Sequence, residues 1–146
     1  DIFSPAPSGA NQWRGDDIQF GVYYGSAGFL AIGQASTTYH ELGFALTADG
    51  PQAYRWLAQD NAVAVGAVED LKLAVVNEGS KTFYEARIPW TTLLKPGQQP
   101  KAGHEMAFSF LLNDNDGDGR RGWIEYTSGI GEAKNTELFA RIKLLK

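Results

Sequence analysis

Ile18-Gln19-Phe20-Gly21-Val22-Tyr23-Tyr24 sets the fold class. Ile18, Phe20, Val22 and Tyr24 are apolar or aromatic, and Gln19, Gly21 and Tyr23 fall between them. Successive side chains of an extended chain point to opposite sides, so this period of two predicts a strand with one buried face. The same period recurs outward in both directions. Leu42, Phe44 and Leu46 alternate with Glu41, Gly43 and Ala45. Tyr84, Ala86 and Ile88 alternate with Phe83, Glu85 and Arg87. Met106, Phe108, Phe110 and Leu112 alternate with Ala107, Ser109 and Leu111, and Leu138, Ala140, Ile142 and Leu144 with Phe139, Arg141 and Lys143. Residues 52–57 and 71–77 are shorter candidates, and 29–34 reads as either a short helix or a strand. Ala48-Asp49-Gly50-Pro51, Asn77-Glu78-Gly79-Ser80 and Lys95-Pro96-Gly97 supply turn chemistry between them. Pro89 followed by Trp90-Thr91-Thr92 suits a single helical turn, with Trp90 packing into the core. Many short strands with frequent turns predict one all-β domain over 1–146, an antiparallel β-sandwich of jelly-roll type.

Composition narrows the function classes. The chain has 146 residues, a net charge of -4 and no cysteine. A disulfide scaffold, a thiol nucleophile and a zinc–thiolate site are excluded. Basic residues are scattered, so there is no stripe for a nucleic acid. No apolar run reaches the ~20 residues of a membrane helix. Four Trp, six Tyr and eight Phe serve a β core and leave some rings for exposed platforms.

The most specific local signal is Asp114-Asn115-Asp116-Gly117-Asp118-Gly119-Arg120-Arg121-Gly122-Trp123-Ile124-Glu125. Counted from Asp114, acidic oxygens fall at positions one, three and five, glycine at six and glutamate at twelve. That is the ligand spacing of a calcium loop, because a hard dication takes six to eight oxygens and alternate residues of a tight loop turn inward. Asp114, Asp116, Asp118, the Arg120 carbonyl and Glu125 are the expected ligands of a structural calcium ion. The flanks alternate like strands, so the loop is expected to join two strands.

Four segments together resemble a known family. They are Trp13-Arg14-Gly15-Asp16-Asp17-Ile18-Gln19-Phe20, Tyr84-Glu85-Ala86-Arg87-Ile88-Pro89-Trp90, Phe108-Ser109-Phe110-Leu111-Leu112-Asn113-Asp114, and the strand over 139–144. In this order they are similar to the family 9 carbohydrate-binding modules and their relatives. The resemblance implies a calcium-binding β-sandwich appended to a secreted polysaccharide-degrading enzyme, and the absence of cysteine is compatible with a bacterial secreted protein. It implies a sugar ligand held between two tryptophans, with polar side chains on its hydroxyls. Trp13 matches the first tryptophan. Gln19 stands where the family often has a glutamate, and Arg55 resembles its sugar-contacting arginine. The only late tryptophan, Trp123, comes earlier than the second clamp residue should. Trp56 shares a strand face with Tyr54, so on a regular strand either Arg55 or this aromatic pair faces a ligand. The resemblance also implies about two opening strands ahead of the Trp13 segment, where this chain has only residues 1–12. The domain is therefore expected to lack those strands or to be excised from a larger protein.

The leading expectation is a non-catalytic module that binds a polysaccharide or oligosaccharide through Trp13, Gln19, Arg55, Trp56 and Trp123, with a covalently linked catalytic domain and neither nucleic acid nor membrane as partner. A second is a structural spacer or docking domain without sugar affinity. A third is a haem-binding sandwich, with Met106, His40 and His104 as the candidate ligands. Glu85 and Glu125 can be imagined as a glycosidase pair, though Glu85 reads better as a partner for Arg87 or Arg141; no nucleophile motif accompanies either histidine, which read as surface or strand-end residues.

Overall fold

The computed structural model describes residues 3–24 and 39–145; the 29–34 segment lies outside them. Nine strands are present among the described residues: β1 Asp17–Tyr24, β2 His40–Thr47, β3 Gly50–Leu57, β4 Gly66–Ala67, β5 Lys72–Glu78, β6 Lys81–Arg87, β7 Glu105–Asp114, β8 Gly122–Glu125 and β9 Ala140–Lys143. The large sheet runs β4-β3-β2-β1-β7-β8, all pairs antiparallel. β9 joins the same edge of β7 at its other end, pairing Glu105 to Phe108, while β8 pairs Leu111 to Asp114. β5 and β6 form a separate antiparallel hairpin. Its two-residue turn places Gly79 at φ 64, where a residue without Cβ avoids the clash that other side chains meet.

The alternation read from the sequence sorts the large sheet into two faces. Directly paired residues point the same way. Ile18, Phe20, Val22, Phe44, Leu42 and Met106 face inward, against the hairpin. Val22, Leu42, Phe44, Ala53, Leu93, Leu94 and Met106 form the buried core, with Leu73 and Tyr84 packed on it from the hairpin. Each large side chain removed from water there contributes about 1.5–3 kcal/mol. Asp17, Gln19, Glu41, Gly43, Ser109, Leu111 and Asn113 face the other way. That outer face is roofed by a 3-10 turn over Gly9–Arg14 and by the chain between β8 and β9, where Ile130 and Phe139 pack on Tyr39, Ala107 and Leu111. Among the described residues no helix is long and apolar enough to cross a membrane.

Three local expectations are corrected. Leu138 belongs to a 3-10 turn over Thr136–Leu138, capped by the Asn135 side chain, which accepts from the Glu137 N–H at 3.0 Å; the last strand starts only at Ala140. Trp90 is 37% exposed at the end of the sandwich rather than in the core, its ring edge-on to Tyr24. His40 opens β2 as a strand-end residue but is wholly buried, and its Nδ1 accepts from the Gln59 N–H at 3.4 Å. Burial, then the nearby Arg55 charge, pushes its pKa down to about 4, so it is neutral at physiological pH.

Arg55 lies on the inner face, opposite Leu42. It is 5% exposed and donates to the carbonyls of Ala64 at 2.8 Å and Thr92 at 2.6 Å, while the Thr92 hydroxyl donates to Asp70 at 2.9 Å. It ties β3 to the turn that follows β6. Arg55→Met would orphan both carbonyls. The expected loss is about 3 kcal/mol, a fall in Tm of roughly 10 °C for a domain of this size. Thermal melting followed by circular dichroism checks it; an unchanged Tm would show that Arg55 does not pin the sandwich.

Candidate functional site

The outer face carries a bowl of about 360 Å³. Its floor is the large sheet, where Gln19 of β1 and Glu41 of β2 lie on either side of Gly43. Gly43 has no side chain for a physical reason: a Cβ there would collide with the Trp56 ring, which folds back over it from β3. The Trp56 indole N–H donates to the Ala10 carbonyl at 2.9 Å, tying β3 to the turn that carries Trp13. Ala10 and Trp13 form one wall, Trp56 and Leu57 a second, and Ile130, Gly131 and Lys134 a third. Arg120 reaches in from the acidic loop.

The polar groups of the bowl are held by buried partners. Lys134 Nζ lies 2.8 Å from both oxygens of Glu41, and the Tyr39 hydroxyl donates to Glu41 Oε2 at 2.6 Å. The Glu41 side chain is 4% exposed and that of Lys134 is 40% exposed, so the cation stands at the rim on a buried anion. The Arg120 guanidinium lies 4.3 Å from the Trp123 ring centre and 5.7 Å from that of Trp13, distances at which a cation is attracted to a ring face. Burial lowers its pKa, and the charges of Asp17 and Glu125 oppose that. Asp17 is 1% exposed and accepts from the Asn113 amide at 2.5 Å. Its pKa is pushed up to about 7 by desolvation, against the Asn113 hydrogen bond and the Arg120 charge.

Of the expected ligand residues, Trp13, Gln19 and Trp56 meet in the bowl. Trp123 stands behind Arg120, its indole packed on Gly131, so it does not face Trp13 across an open gap. Arg55 is corrected: it points into the core and lines no part of the bowl, leaving the Tyr54–Trp56 side of β3 as the one turned outward. Glu41, Lys134 and the Arg120 side chain were not anticipated. Glu41 was readable as an outer-face residue beside Gly43, but its pairing with Lys134, 93 positions away, is not a local signal.

The acidic loop is shaped by its own hydrogen bonds. Asn115 Oδ1 accepts from the N–H groups of Gly117 at 2.7 Å and Gly119 at 3.1 Å. Asp116 pairs with Arg121 at 2.9 Å, and Arg121 N–H donates to the Asp114 carbonyl at 2.8 Å. Glu125 turns away, its carboxylate accepting from the Ile130 N–H at 3.0 Å and from that of Gly131. Glu125 is therefore not turned to the loop as the twelfth ligand of the calcium register. Asp16 lies against the loop, accepting from Asn115 N–H at 2.8 Å and from Ser4 N–H at 2.6 Å. Its pKa is raised by burial and by repulsion from Asp114 and Asp116.

A larger cleft of about 770 Å³ opens between the sheets, lined by Phe3, Ile18, Tyr84, Leu112 and Ile124 among others. Two indoles and four polar side chains converge in the smaller bowl, whereas Asp16, Asp17, Asn113 and Asp114 are among the residues that line the cleft.

Comparison with known proteins agrees with this architecture. The family described as carbohydrate family 9 binding domain-like matches residues 29–146. The chain belongs to that family. Trp13 and Gln19 precede the matched segment. A family 9 carbohydrate binding module from Caldicellulosiruptor kristjanssonii, solved in complex with glucose, superposes with a TM-score of 0.65 at 16% identity, covering 98% of this chain and 64% of that one. A structure of a family 9 module from the same organism in complex with cellotriose superposes at 0.60 with 18% identity, covering 98% and 65%. This family 9-like chain thus spans just under two thirds of the length of those solved chains. No curated protein matches it.

The buried Asp17 gives this family 9-like domain a testable pH dependence. The folded state holds the Asp17 proton up to about pH 7, against an ordinary 3.8. Between those values the folded state binds more protons than the unfolded state, so stability falls as pH rises through the window. The Tm is expected to drop between pH 5 and pH 8, and Asp17→Asn, which keeps an acceptor for Asn113, to flatten that slope. Equal slopes in the two proteins would remove Asp17 as the origin.

Proposed function

We infer that this chain is a non-catalytic carbohydrate-binding module whose ligand lies in the bowl. The observation that carries the reading is the convergence of Trp13 and Trp56 with Gln19, Arg120, Lys134 and Glu41 on one concave patch of the sheet. A pyranose offers an apolar C–H face and a rim of hydroxyls. Flat rings match the first, and an amide, a guanidinium and an ammonium match the second. The bowl volume lies at the lower end of the roughly 300–1,000 Å³ typical of small-ligand sites, which suits a short saccharide or the end of a longer one. Glucose and cellotriose, the ligands of the solved relatives, make gluco-oligosaccharides the first probes.

The carboxylates support binding rather than hydrolysis. A glycosidase needs two of them across the scissile bond, one free to give a proton. Glu41, the one carboxylate lining the bowl, is engaged by Lys134 and Tyr39. Glu125 is held by backbone amides, and Glu85 lies on β6 of the hairpin. Delivery of an attached, secreted polysaccharide-active enzyme to its substrate is the role that goes with such a module.

Calorimetric titration with cellotriose tests the reading. Trp13→Ala and Trp56→Ala are each expected to weaken binding about tenfold, the equivalent of one aromatic contact, with circular dichroism confirming the fold. Unchanged affinity in both would move the ligand out of the bowl. No binding of the wild-type protein to any glycan would leave the structural-spacer reading.

Calcium is a separate part of the proposal. It rests on the crowding of Asp16, Asp114 and Asp116, whose repulsion a divalent cation would relieve. If calcium binds the folded form, Tm is higher in calcium than in EDTA by linkage. Identical melting in both removes the ion and leaves the sugar site unaffected.

A further inference from the structure

The bowl presents positive charge, although the protein as a whole carries a net charge of -4. Lys134 and Arg120 line it, against Glu41 as the one acid. Glu41 is covered: its side chain is 4% exposed and it accepts from the Tyr39 hydroxyl at 2.6 Å, while the Lys134 side chain above it is 40% exposed. The Lys134 ammonium meets the two Glu41 oxygens at 2.8 Å each. An ammonium has three donors, so one is left for a ligand. Arg120 is less well matched. Its Nε and Nη2 are buried and meet no acceptor among the described residues. Asp17, whose charge would counter it, keeps its proton up to about pH 7 because it is buried. Arg14 adds another cation to the same quarter, its guanidinium 5.2 Å from the Trp13 ring centre.

We propose that the sugar taken by the bowl is an acidic one, a uronic acid residue whose ring lies on an indole and whose carboxylate is received by Lys134 and Arg120. This deepens the sugar-binding reading and rests on it. A pyranose with its flat C–H face on Trp13 or Trp56 points its substituents outward in the ring plane, towards the walls. The carboxylate of a uronic acid stands on that periphery, where the two cations are. A neutral sugar in the same place takes water from both cations and returns only hydroxyl oxygens. A carboxylate returns charge-assisted hydrogen bonds, and a guanidinium can meet both of its oxygens. The gain is selective for charge because the only acid at the site is already held from below.

Calorimetric titration with two trisaccharides that differ only at C6 tests this: cellotriose, and its β-1,4-linked triglucuronate counterpart with a carboxylate for each primary alcohol. Triglucuronate is expected to bind at least about tenfold more tightly at low salt. Raising the salt from about 50 mM to about 500 mM should narrow that ratio several-fold, since screening acts on the charged ligand alone. Lys134→Met is expected to lose more affinity for triglucuronate than for cellotriose, and Lys134→Arg to restore the preference. Melting of both variants checks the fold, and the salt dependence of the wild-type protein carries the test if Lys134→Met does not fold. Cellotriose binding as tightly as triglucuronate, or more so, would overturn the acidic ligand and leave the sugar site standing. Tighter binding of glucose 6-sulfate than of glucuronate would overturn the carboxylate as the recognised group. Binding of neither trisaccharide would remove this inference together with the reading beneath it.

Discussion

Two consecutive carboxylates at the start of β1 hold the working side of this domain together. Asp16 takes the N–H of Ser4 and of Asn115, which joins the entering chain to the acidic loop. Asp17 takes the Asn113 amide and lies near Arg120, each favouring the charged form of the other. Arg120 in turn stands between Trp13 and Trp123. Gly15 just before them allows the chain to lie against Ala6, whose backbone a Cβ would strike. The wall of the bowl is therefore an electrostatic construction built on one end of a strand, and its geometry follows from burying two acids side by side. That burial is costly, as the raised pKa of each shows, and a buried charge is tolerated only where partners replace water.

The strands were legible because period two survives whatever the strands pair with. β1, β2 and β7 could be placed within a residue or two, and their inward faces could be named. The outer face was only half legible. Gln19 and Trp13 were found through a motif, and Trp56 through its strand parity, but a motif also suggested Arg55, and only the bulge-containing register of β2 with β3 shows that it points to the core. The acidic loop allowed two readings for a physical reason. Asn and Asp side chains close turns by accepting backbone N–H groups, so the spacing that suits a cation also suits the Asn115 turn seen here. The turn over Gly9–Arg14 had no periodicity to announce it. Leu138 fitted a strand pattern, whereas Asn135 ahead of it was a readable cap.

The two faces of the large sheet divide the work. The inner face carries the apolar core and the Arg55 tie, and the outer face carries the polar cluster under short turns. Changes at the rim of the bowl cross little of the core, and changes in the core reach the bowl only through the sheet. Gln19, Glu41 and Ile130 are exceptions, since they are buried and line the bowl at once.

Lys134 and Arg120 show how a sheet can present cations without scattering them. Each is long and flexible, and an isolated lysine or arginine on a surface loses several rotamers of freedom on binding a ligand. Here each has an acid beneath it: Glu41, itself fixed by Tyr39, under Lys134, and Asp17, fixed by Asn113, under Arg120. The acids are too engaged to act on a ligand, and their contribution is to hold the cations in place before one arrives. Preorganisation of this kind lowers the entropic cost of recognition.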